Sequence, residues 1–247
     1  MKTAYKLHKN YQNFTNFLLD IKQHFSQNTT TIHKARNELK VLEHNNTQVV
    51  VKSFKVPNII NKIAYTFFRD SKAKKSYEYS LRLGEFAPEP IGYIEFFRNG
   101  LLDESYFVST KFAYDFTIRE PLLQKDFPNR EAIFEAFGEF TLKLHDAGIF
   151  HYDYSPGNIL IKEQNGTYIF KIVDVNRMGF FTLTNTQRAQ NFSKLWASDD
   201  DLRVIALAYV KKAQLDDDFV EKTLYYNLQN KKRKNFKKRL KGKEIDW

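Results

Sequence analysis

The amino-acid sequence predicts an α+β fold, and three segments carry most of that prediction. The run from Gln48 to Phe54 (QVVVKSF) is rich in β-branched residues and is typical of a central strand. The segment from Asn129 to Asp146 has apolar residues on one broad face, as in a long amphipathic helix. Apolar residues at Ile159 to Ile161 and at Tyr168 to Val173 predict the two strands of a hairpin. At 247 residues, the chain is long enough for one large domain or for two small lobes with a shared cleft.

Composition indicates a globular protein with an aromatic-rich core. Hydrophobic residues make up 42% of the chain, which includes 23 Phe and 14 Tyr, so wholesale disorder is not expected. No stretch approaches the ~20 apolar residues that a membrane helix needs, and the N-terminal sequence MKTAYKLHKN lacks the apolar core of a signal peptide. The chain has no cysteine, which excludes disulfides and cysteine–zinc sites. A cytoplasmic protein is therefore expected.

Periodicity and turn residues predict the other elements in chain order. Apolar residues from Tyr11 to Phe25 recur at helical spacing, which predicts a helix whose role is packing. The remaining predicted elements are a strand, a turn and a strand within Thr29 to Leu42, a turn at His44 to Thr47, a helical segment broken near Asp70 within Pro57 to Leu83, a hairpin of Tyr93 to Phe97 and Ser105 to Val108 around Arg98 to Gly100, and a helix that begins with a capping pattern at Ser198.

The stretch from Leu144 to Ile161 (LHDAGIFHYDYSPGNILI) carries the clearest chemistry. Asp153 and Asn158 lie in a loop just before the first strand of the hairpin, and the second strand delivers Asp174. Because magnesium prefers oxygen ligands, Asn158 and Asp174 are candidate Mg²⁺ ligands beside the phosphates of a nucleotide. Asp153 is a candidate acceptor of the proton of a substrate hydroxyl. The alternative is an acidic, turn-rich hairpin without chemistry, since Asp and Asn are ordinary turn residues.

These residues resemble a known family. The pattern HxDxxxxN (His151, Asp153, Asn158), followed by a strand and Asp174, is similar to the catalytic loop and the metal-binding Asp of the protein-kinase-like fold. The sequence IVDVNRM in place of Asp-Phe-Gly is more similar to the lipopolysaccharide core kinases, which phosphorylate Kdo or heptose sugars in bacteria. The atypical RIO kinases are a more distant likeness.

The resemblance implies a two-lobed, protein-kinase-like fold with a truncated large lobe. Residues 1–112 would form a nucleotide-binding small lobe that includes the N-terminal helix. Residues 113–247 would form a large lobe with the catalytic loop and a basic C-terminal tail, and the active site would lie in the cleft. The cofactors implied are ATP and Mg²⁺. Tyr152 stands where regulated protein kinases commonly have Arg, and no Ala-Pro-Glu follows, so phosphorylation-driven switching is not expected.

Lys52 is the predicted phosphate-binding lysine. It lies within an apolar strand, where an unpaired charge is costly, and it shares a face with Val50 and Phe54 on the period of two. In the resembled family a strand lysine holds the α- and β-phosphates and pairs with a helix glutamate, and Lys55 is the second choice for this role. Glu78 is the predicted partner of Lys52, both by likeness and as the only acid of its helix after Asp70.

For residues 1–112, two predictions have alternatives: the pairing of Glu78 and the residues of the phosphate-covering turn. Glu78 has Lys74 and Arg82 four residues away on either side, so an exposed charge ladder is the alternative to its pair with Lys52. The turn that would cover the nucleotide phosphates has no glycine, because the first glycine of the chain is Gly84. In that turn, Lys34 and Arg36 are candidate phosphate-binding residues; simple surface exposure of their charges is the alternative.

Charge indicates anionic partners. The formal net charge is +10, and residues 230–243 read NKKRKNFKKRLKGK. Such a run can bind the phosphates of nucleic acid, of an anionic membrane surface or of a phosphorylated glycolipid, and a solvated tail is the alternative. The expected partners are a glycolipid or sugar acceptor and, through the basic tail, the inner face of the bacterial inner membrane. Nucleic acid and an obligate protein partner are not expected.

The predicted function is therefore the ATP-dependent phosphorylation of a sugar hydroxyl in the lipopolysaccharide inner core. Asp153, Lys52 and Glu78 are the predicted catalytic residues, and Asn158 and Asp174 are the predicted metal ligands. A kinase for a protein or another small molecule and a non-catalytic pseudokinase are the alternatives. A zinc site at His145 and His151 is not predicted, because their spacing lacks the i, i+4 repeat of a helical zinc pair.

Overall fold

A computed structural model describes residues 2–28, 31–34, 37–240 and 242; the side chains of residues 31–34 are outside the description. The chain divides into two compact units, Met1–Phe112 and Ala113–Trp247. Helices and an antiparallel sheet occur together, which confirms the α+β class predicted from the sequence. Within the described residues, no helix is long and apolar enough to cross a membrane.

The unit 1–112 is built on one antiparallel sheet. Its strands and helices, in chain order, are β1 (Lys2–Leu7), α1 (Thr15–Leu19), α2 (Ile21–Gln27), β2 (Thr31–Lys34), β3 (Glu38–His44), β4 (Thr47–Phe54), α3 (Ile59–Phe67), α4 (Lys72–Leu83), β5 (Pro90–Arg98) and β6 (Leu101–Thr110). Among the described residues, six strands form the sheet in the order β1-β5-β6-β4-β3-β2. Short 3₁₀ segments at Lys9–Phe14 and Gly84–Phe86 precede α1 and β5.

Each face of this sheet has its own core. The core under α1 and α2 includes the buried side chains of Phe17, Ile21 and Val51. The core under α4 joins Phe54 to Ala73 and Tyr77, with Tyr93 and Phe107 completing it. Val51 and Phe54 therefore point to opposite faces of the sheet. The expected packing role of the N-terminal helical residues is confirmed, but Asp20 divides the expected single helix into α1 and α2.

Local signals fix most element ends in this unit. Ser71 caps α4 by accepting a hydrogen bond from the amide of Lys74 (3.1 Å), which confirms the helix break predicted near Asp70. The tight hairpin turns use residues that tolerate positive φ, namely Asn45 with Asn46 and Asn99 with Gly100. Strand β1 was not predicted. Its sequence, KTAYKL, has mostly exposed side chains, and it forms by pairing with β5.

The unit 113–247 is mainly helical. Its elements, in chain order, are β7 (Phe116–Thr117), α5 (Arg119–Leu123), α6 (Arg130–Asp146), β8 (Ile149–His151), β9 (Ile159–Gln164), β10 (Thr167–Ile172), β11 (Met178–Phe180), α7 (Asn185–Phe192), α8 (Asp199–Ala213) and α9 (Asp218–Arg239). A 3₁₀ turn at Pro156–Asn158 precedes β9. Strands β7, β9 and β10 form one sheet in the order β10-β9-β7, and β8 pairs with β11.

Helix α6 supports the β9–β10 hairpin from one side. The ring of Phe170 on β10 lies 5.0 Å from that of Phe140 and 5.8 Å from that of Phe137, measured between centroids. Helix α8 packs closely where α6 has Gly138, since a Cβ there would lie 2.5 Å from the carbonyl oxygen of Ile205. The predicted capping of α8 is confirmed, because Ser198 Oγ accepts from the amide of Asp201 at 3.2 Å.

The basic C-terminal segment is not a free tail over most of its length. Residues 230–239 belong to α9, and Asn227, Asn230 and Asn235 on this helix are buried. Asn230 Nδ2 donates to the carbonyl of Ser193 at 2.6 Å, and Asn227 Nδ2 donates to that of Ala197 at 3.1 Å. The expectation of a tail was therefore wrong for these residues, because buried asparagines between the lysines bind α9 to the segment after α7.

Candidate active site

The hairpin of β9 and β10 brings Asn158 and Asp174 to the same end. Ile159 pairs with Ile172 in the last register of the ladder, and the amide of Val173 donates to the carbonyl of Asn158 at 2.9 Å. At the opposite end, Asn165 and Gly166 close a two-residue turn with φ of 53° and 73°. Asn158 and Asp174 therefore lie at the same end of the hairpin, because Asn158 is bonded to Val173 and Asp174 is the next residue after Val173.

The loop before β9 is folded around the carbonyl of Asp153. This oxygen accepts from the amide of Ser155 at 2.7 Å and from Nδ2 of Asn158 at 2.9 Å. Because the nitrogen of the Asn158 amide is used in the loop, its oxygen Oδ1 is the atom left for a ligand. The bond from Asn158 to the carbonyl of Asp153 thus holds the two residues close together in space and orients the Asn158 side chain.

His151 joins this loop to the strand that precedes Asp174. Its Nδ1 accepts from the amide of Asp153 at 3.0 Å, and its Nε2 bonds the carbonyl of Val173 at 3.1 Å. A carbonyl only accepts, so Nε2 carries the proton and the ring is neutral. Burial lowers the pKa of His151, which is fully buried, in agreement with a neutral ring. One imidazole therefore sets the spacing between the Asp153 and Asp174 limbs.

A second buried histidine supports the first from below. Asn191 Nδ2 donates to the carbonyl of His151 at 2.9 Å, and Asn191 Oδ1 accepts from His145 Nε2 at 3.1 Å. His145 Nδ1 then accepts from the hydroxyl of Tyr209 at 3.1 Å, and that oxygen accepts from Arg188 at 3.0 Å. Burial lowers the pKa of His145 to about 4. The polar atoms of this hydrogen-bond network are all paired only while the His145 ring is neutral.

Arg177 is a residue of the site that the sequence prediction missed. Its guanidinium Nη2 lies 2.5 Å from Oδ2 of Asp153, and its carbonyl accepts from the amide of Tyr152 at 3.1 Å. Arg177 is 61% exposed and Asp153 is 35% exposed, so solvent reaches this ion pair. The available signal was the cation in IVDVNRM, three residues after Asp174.

The residues present fit a magnesium–nucleotide group as donors. Asp174 has φ of 57°, in the left-handed region, and its Oδ1 accepts from Asn176 Nδ2 at 2.6 Å. A carboxylate and an amide oxygen match the preference of Mg²⁺ for a few protein oxygens completed by phosphates and water. Among the described residues, no group of three or more His, Cys, Asp or Glu side chains has the arrangement of a protein-only metal site.

In the unit 1–112, Lys52 lies on the face of the sheet that α4 covers. It is on β4 opposite Leu39 and Phe107, and its Nζ lies 5.3 Å from the ring centroid of Phe54. Since Phe54 and Phe107 pack with α4, the assignment of Lys52 to the Phe54 face agrees with the structure.

Glu78 lies on α4, beside Lys74. The distance from Lys74 Nζ to Glu78 Oε1 is 3.9 Å, and Lys74 also lies 2.7 Å from Asp70. Hydrogen bonding to Asp70 raises the pKa of Lys74. The ladder contact that was the alternative for Glu78 is thus present, while its pair with Lys52 stays a prediction.

Of the two predicted residues of the phosphate-covering turn, the structure describes only the backbone of Lys34. Lys34 ends β2 and pairs in register with Glu38 on β3. Its side chain is outside the described atoms, and Arg36 lies outside the described residues. The role of Lys34 and Arg36 in binding phosphate stays a prediction.

Comparison with known proteins gives a fold but not a family. No protein-family model matches the chain, and no curated protein matches it in sequence. The chain is similar to a solved structure described as "WaaP in complex with acyl carrier protein", with 14% sequence identity and a TM-score of 0.59. The similarity covers 94% of this chain and 99% of that one. The chain thus shares the fold of that structure.

Proposed function

We propose that this protein is an ATP-dependent phosphotransferase that acts on a sugar hydroxyl of the lipopolysaccharide inner core, on Kdo or heptose. The observation that carries the proposal is the end of the hairpin, where neutral His151 bonds the amide of Asp153 and the carbonyl of Val173, the residue before Asp174. Asn158 bonds the carbonyl of Asp153 at the same end. Such an end supplies the acceptor-binding and nucleotide-binding groups that phosphoryl transfer requires.

Asp153 is the proposed base for the acceptor. The acceptor oxygen forms a bond to the γ-phosphorus, its proton passes to the carboxylate, and the bond from the γ-phosphorus to the bridging oxygen breaks to release ADP. Arg177 binds Oδ2 of Asp153, so Oδ1 is the oxygen that we assign to the substrate hydroxyl. The bond from His151 to the amide of Asp153 holds this residue in place.

The nucleotide is proposed to bind through Asn158, Asp174 and Lys52. When bound, Mg²⁺ neutralises the charge of the phosphates, and Asn158 Oδ1 with the Asp174 carboxylate are the proposed protein ligands. Lys52 is proposed to hold the α- and β-phosphates, with Glu78 as the residue that orients it. Lys34 and Arg36 are proposed as further phosphate contacts.

The sugar acceptor is supported by two likenesses. The sequence from His151 to Met178 resembles the lipopolysaccharide core kinases, and the chain shares its fold with the solved structure described as WaaP in complex with acyl carrier protein. The basic residues from 230 to 243 are proposed to draw the protein to an anionic membrane surface, with about 1 kcal/mol per charge near that surface. Added salt should therefore weaken binding to anionic vesicles while leaving turnover of a water-soluble acceptor nearly unchanged.

An acceptor comparison tests the proposal. The purified chain should transfer the γ-phosphoryl of ATP to Kdo-lipid A or to an inner core that carries heptose, but not to lipid A without these sugars or to a peptide, and Asp153→Asn should remove the transfer. Because WaaP was solved in complex with acyl carrier protein, a parallel reaction with added acyl carrier protein tests the expectation that no protein partner is obligatory. Absence of transfer to any acceptor, with and without that protein, would favour a pseudokinase.

A further inference from the structure

Among the described residues of the unit 113–247, three cations interact with the carboxylate of Asp153. Arg177 forms the ion pair with it. Lys194, just after α7, and Lys234, on α9, are half-buried, and the negative charge of Asp153 acts on both. Lys194 and Lys234 are not among the residues proposed to bind the nucleotide. The carboxylate of Asp153 therefore interacts with three positive charges.

Helix α9 is anchored so that Lys234 reaches this region. Asn230 bonds the carbonyl of Ser193 at 2.6 Å, and Lys234 lies one helical turn further along the same face. The Nζ of Lys234 lies 3.9 Å from the ring centroid of Trp196, whose φ is 60°. The backbone thus adopts a costly conformation for a bulky residue, and the indole ring supports the ammonium.

The two lysines lack the carboxylate partners that neighbouring lysines have. In the part of the chain that the structure describes, neither Lys194 nor Lys234 has a carboxylate oxygen within 4 Å of Nζ, whereas Lys231 lies 3.7 Å from Asp199. Burial lowers the pKa of Lys194, and repulsion by Arg233 lowers it further; burial and then repulsion by Lys194 lower the pKa of Lys234. Clustered, partly desolvated cations of this kind are unfavourable alone and are stabilised by an anion.

We propose that Lys194 and Lys234, with the ring of Trp196, form an anion-binding subsite for the acceptor, which holds a carboxylate or phosphate group while the neighbouring hydroxyl reaches Asp153. This inference rests on the proposed function and deepens it. The subsite selects acceptors that carry an acidic group close to the reacting hydroxyl. Two ammonium groups suit either anion, because each presents rotatable donors and a compact charge.

The test uses Trp196 as a reporter. The chain has two tryptophans, Trp196 and Trp247, so the Trp247→Phe variant leaves Trp196 as the only source of indole fluorescence. This variant is titrated at constant ionic strength with inorganic phosphate and, separately, with free Kdo. We expect a saturable change with at least one probe. Saturation by Kdo alone identifies a carboxylate site, and saturation by phosphate alone identifies a phosphate site.

Variants in the same background separate the subsite from general charge attraction. Lys194→Met with Lys234→Met should raise the Kd for the effective probe about 100-fold, or about tenfold for each charge-assisted bond. Lys232→Met is the matched control, since Lys232 lies on the exposed side of α9, and it should leave the Kd within about twofold. No saturable change with either probe, or an equal loss of affinity in the control, would overturn the proposal.

Turnover separates failure of this proposal from failure of the proposed function. With Kdo-lipid A, the double lysine variant should raise KM at least tenfold while kcat changes by less than about threefold. Saturable binding without any turnover would support the subsite and contradict the kinase proposal. Normal turnover with an unchanged KM in the double variant would overturn the subsite and leave the kinase proposal standing. Thermal unfolding should show that the variant is folded, because Met replaces partly desolvated cations.

Discussion

The two units hold their candidate residues in different ways. In the unit 113–247, Asp153 and Asp174 lie on two limbs that His151 joins: its Nδ1 accepts from the amide of Asp153, and its Nε2 donates to the carbonyl of Val173. In the unit 1–112, Lys52 takes its position from a strand of the sheet, and Glu78 is 39% exposed beside Lys74.

This difference shows that a side chain on a loop and a side chain on a strand are held in position by different contacts. A loop has no ladder of backbone bonds, so its candidate catalytic side chains need buried polar side chains to fix them. A strand residue is already fixed by its register and needs less support. We therefore expect the position of Asp153 in the loop before β9 to depend on buried residues that no substrate touches. The position of Lys52 on its strand should not depend on such residues.

The largest effect on stability is expected for His151→Phe. The change leaves the amide of Asp153 and the carbonyl of Val173 without their partner, and each unpaired buried group costs about 1–3 kcal/mol. Urea unfolding should show a loss of about 4 kcal/mol. Tyr152→Phe, at the exposed neighbouring position, is the control and should change stability by less than about 0.5 kcal/mol. A loss below about 1 kcal/mol for His151→Phe would contradict the bridging role.

Lys52→Met should act on turnover and not on folding. Loss of a charged donor to the phosphates should lower kcat/KM for ATP by about 10²- to 10³-fold, which corresponds to about 3–4 kcal/mol. Stability should be nearly unchanged, because the side chain is half-buried and Met retains its packing. Lys55→Met is the matched control at the exposed end of the same segment, and a larger loss there would transfer the role to Lys55.

Stability should fall below neutral pH because of the buried histidines. The pKa of folded His145 is about 4, below its ordinary value of 6.5, so protonation favours the unfolded chain. The stabilisation is complete above about pH 6.5 and is lost as the pH falls toward 4; between pH 7 and pH 5, it decreases by about 2 kcal/mol. The lowered pKa of His151 acts in the same direction.

Urea unfolding at pH 7 and pH 5 measures this dependence. In His145→Gln, the difference between the two pH values should be smaller by about 2 kcal/mol. Carboxylates that titrate in this range affect both proteins alike, so the comparison isolates His145. An identical pH dependence in the variant and the unchanged protein would show that His145 is not held neutral.

The smallest effect is expected for Glu78→Gln on stability. Its contact with Lys74 at 3.9 Å is an exposed i, i+4 pair, which contributes less than about 0.5 kcal/mol. The predicted pair with Lys52 is tested on kcat/KM. If the two side chains act together, the effects of Glu78→Gln and Lys52→Met will not add in the double variant. Additive effects would indicate that Glu78 belongs only to the charge ladder of α4.

Features that depend on short local sequence patterns could be predicted from the sequence. The β9–β10 turn at Asn165 and Gly166, the cap at Ser198 and the positions of Asp153, Asn158 and Asp174 on the hairpin follow from short-range rules of turns and periodicity. Strand β1 could not be predicted, because its polar sequence becomes a strand only through its pairing with β5. Helix α9 was missed because its polar residues hide the buried asparagines that fix it.

The supporting residues of the site were also beyond sequence patterns. Asn191, Tyr209 and Arg188 lie on helices far along the chain from His145, and only the fold brings their polar atoms together. Arg177 lay within the quoted motif, but spacing alone does not reveal an ion pair with a residue 24 positions earlier. Such contacts depend on tertiary packing, which a single sequence does not show.

The central claim is that the two limbs of the hairpin have separate tasks at one reaction centre. The most direct measurement compares Asp153→Asn with Asp174→Asn, using Mg²⁺-dependent affinity for a non-hydrolysable ATP analogue and turnover with Kdo-lipid A. We predict that Asp153→Asn lowers turnover by about 10²- to 10⁴-fold and leaves nucleotide affinity within about threefold, whereas Asp174→Asn weakens both. Full turnover in both variants, or loss of nucleotide binding in Asp153→Asn alone, would contradict this assignment.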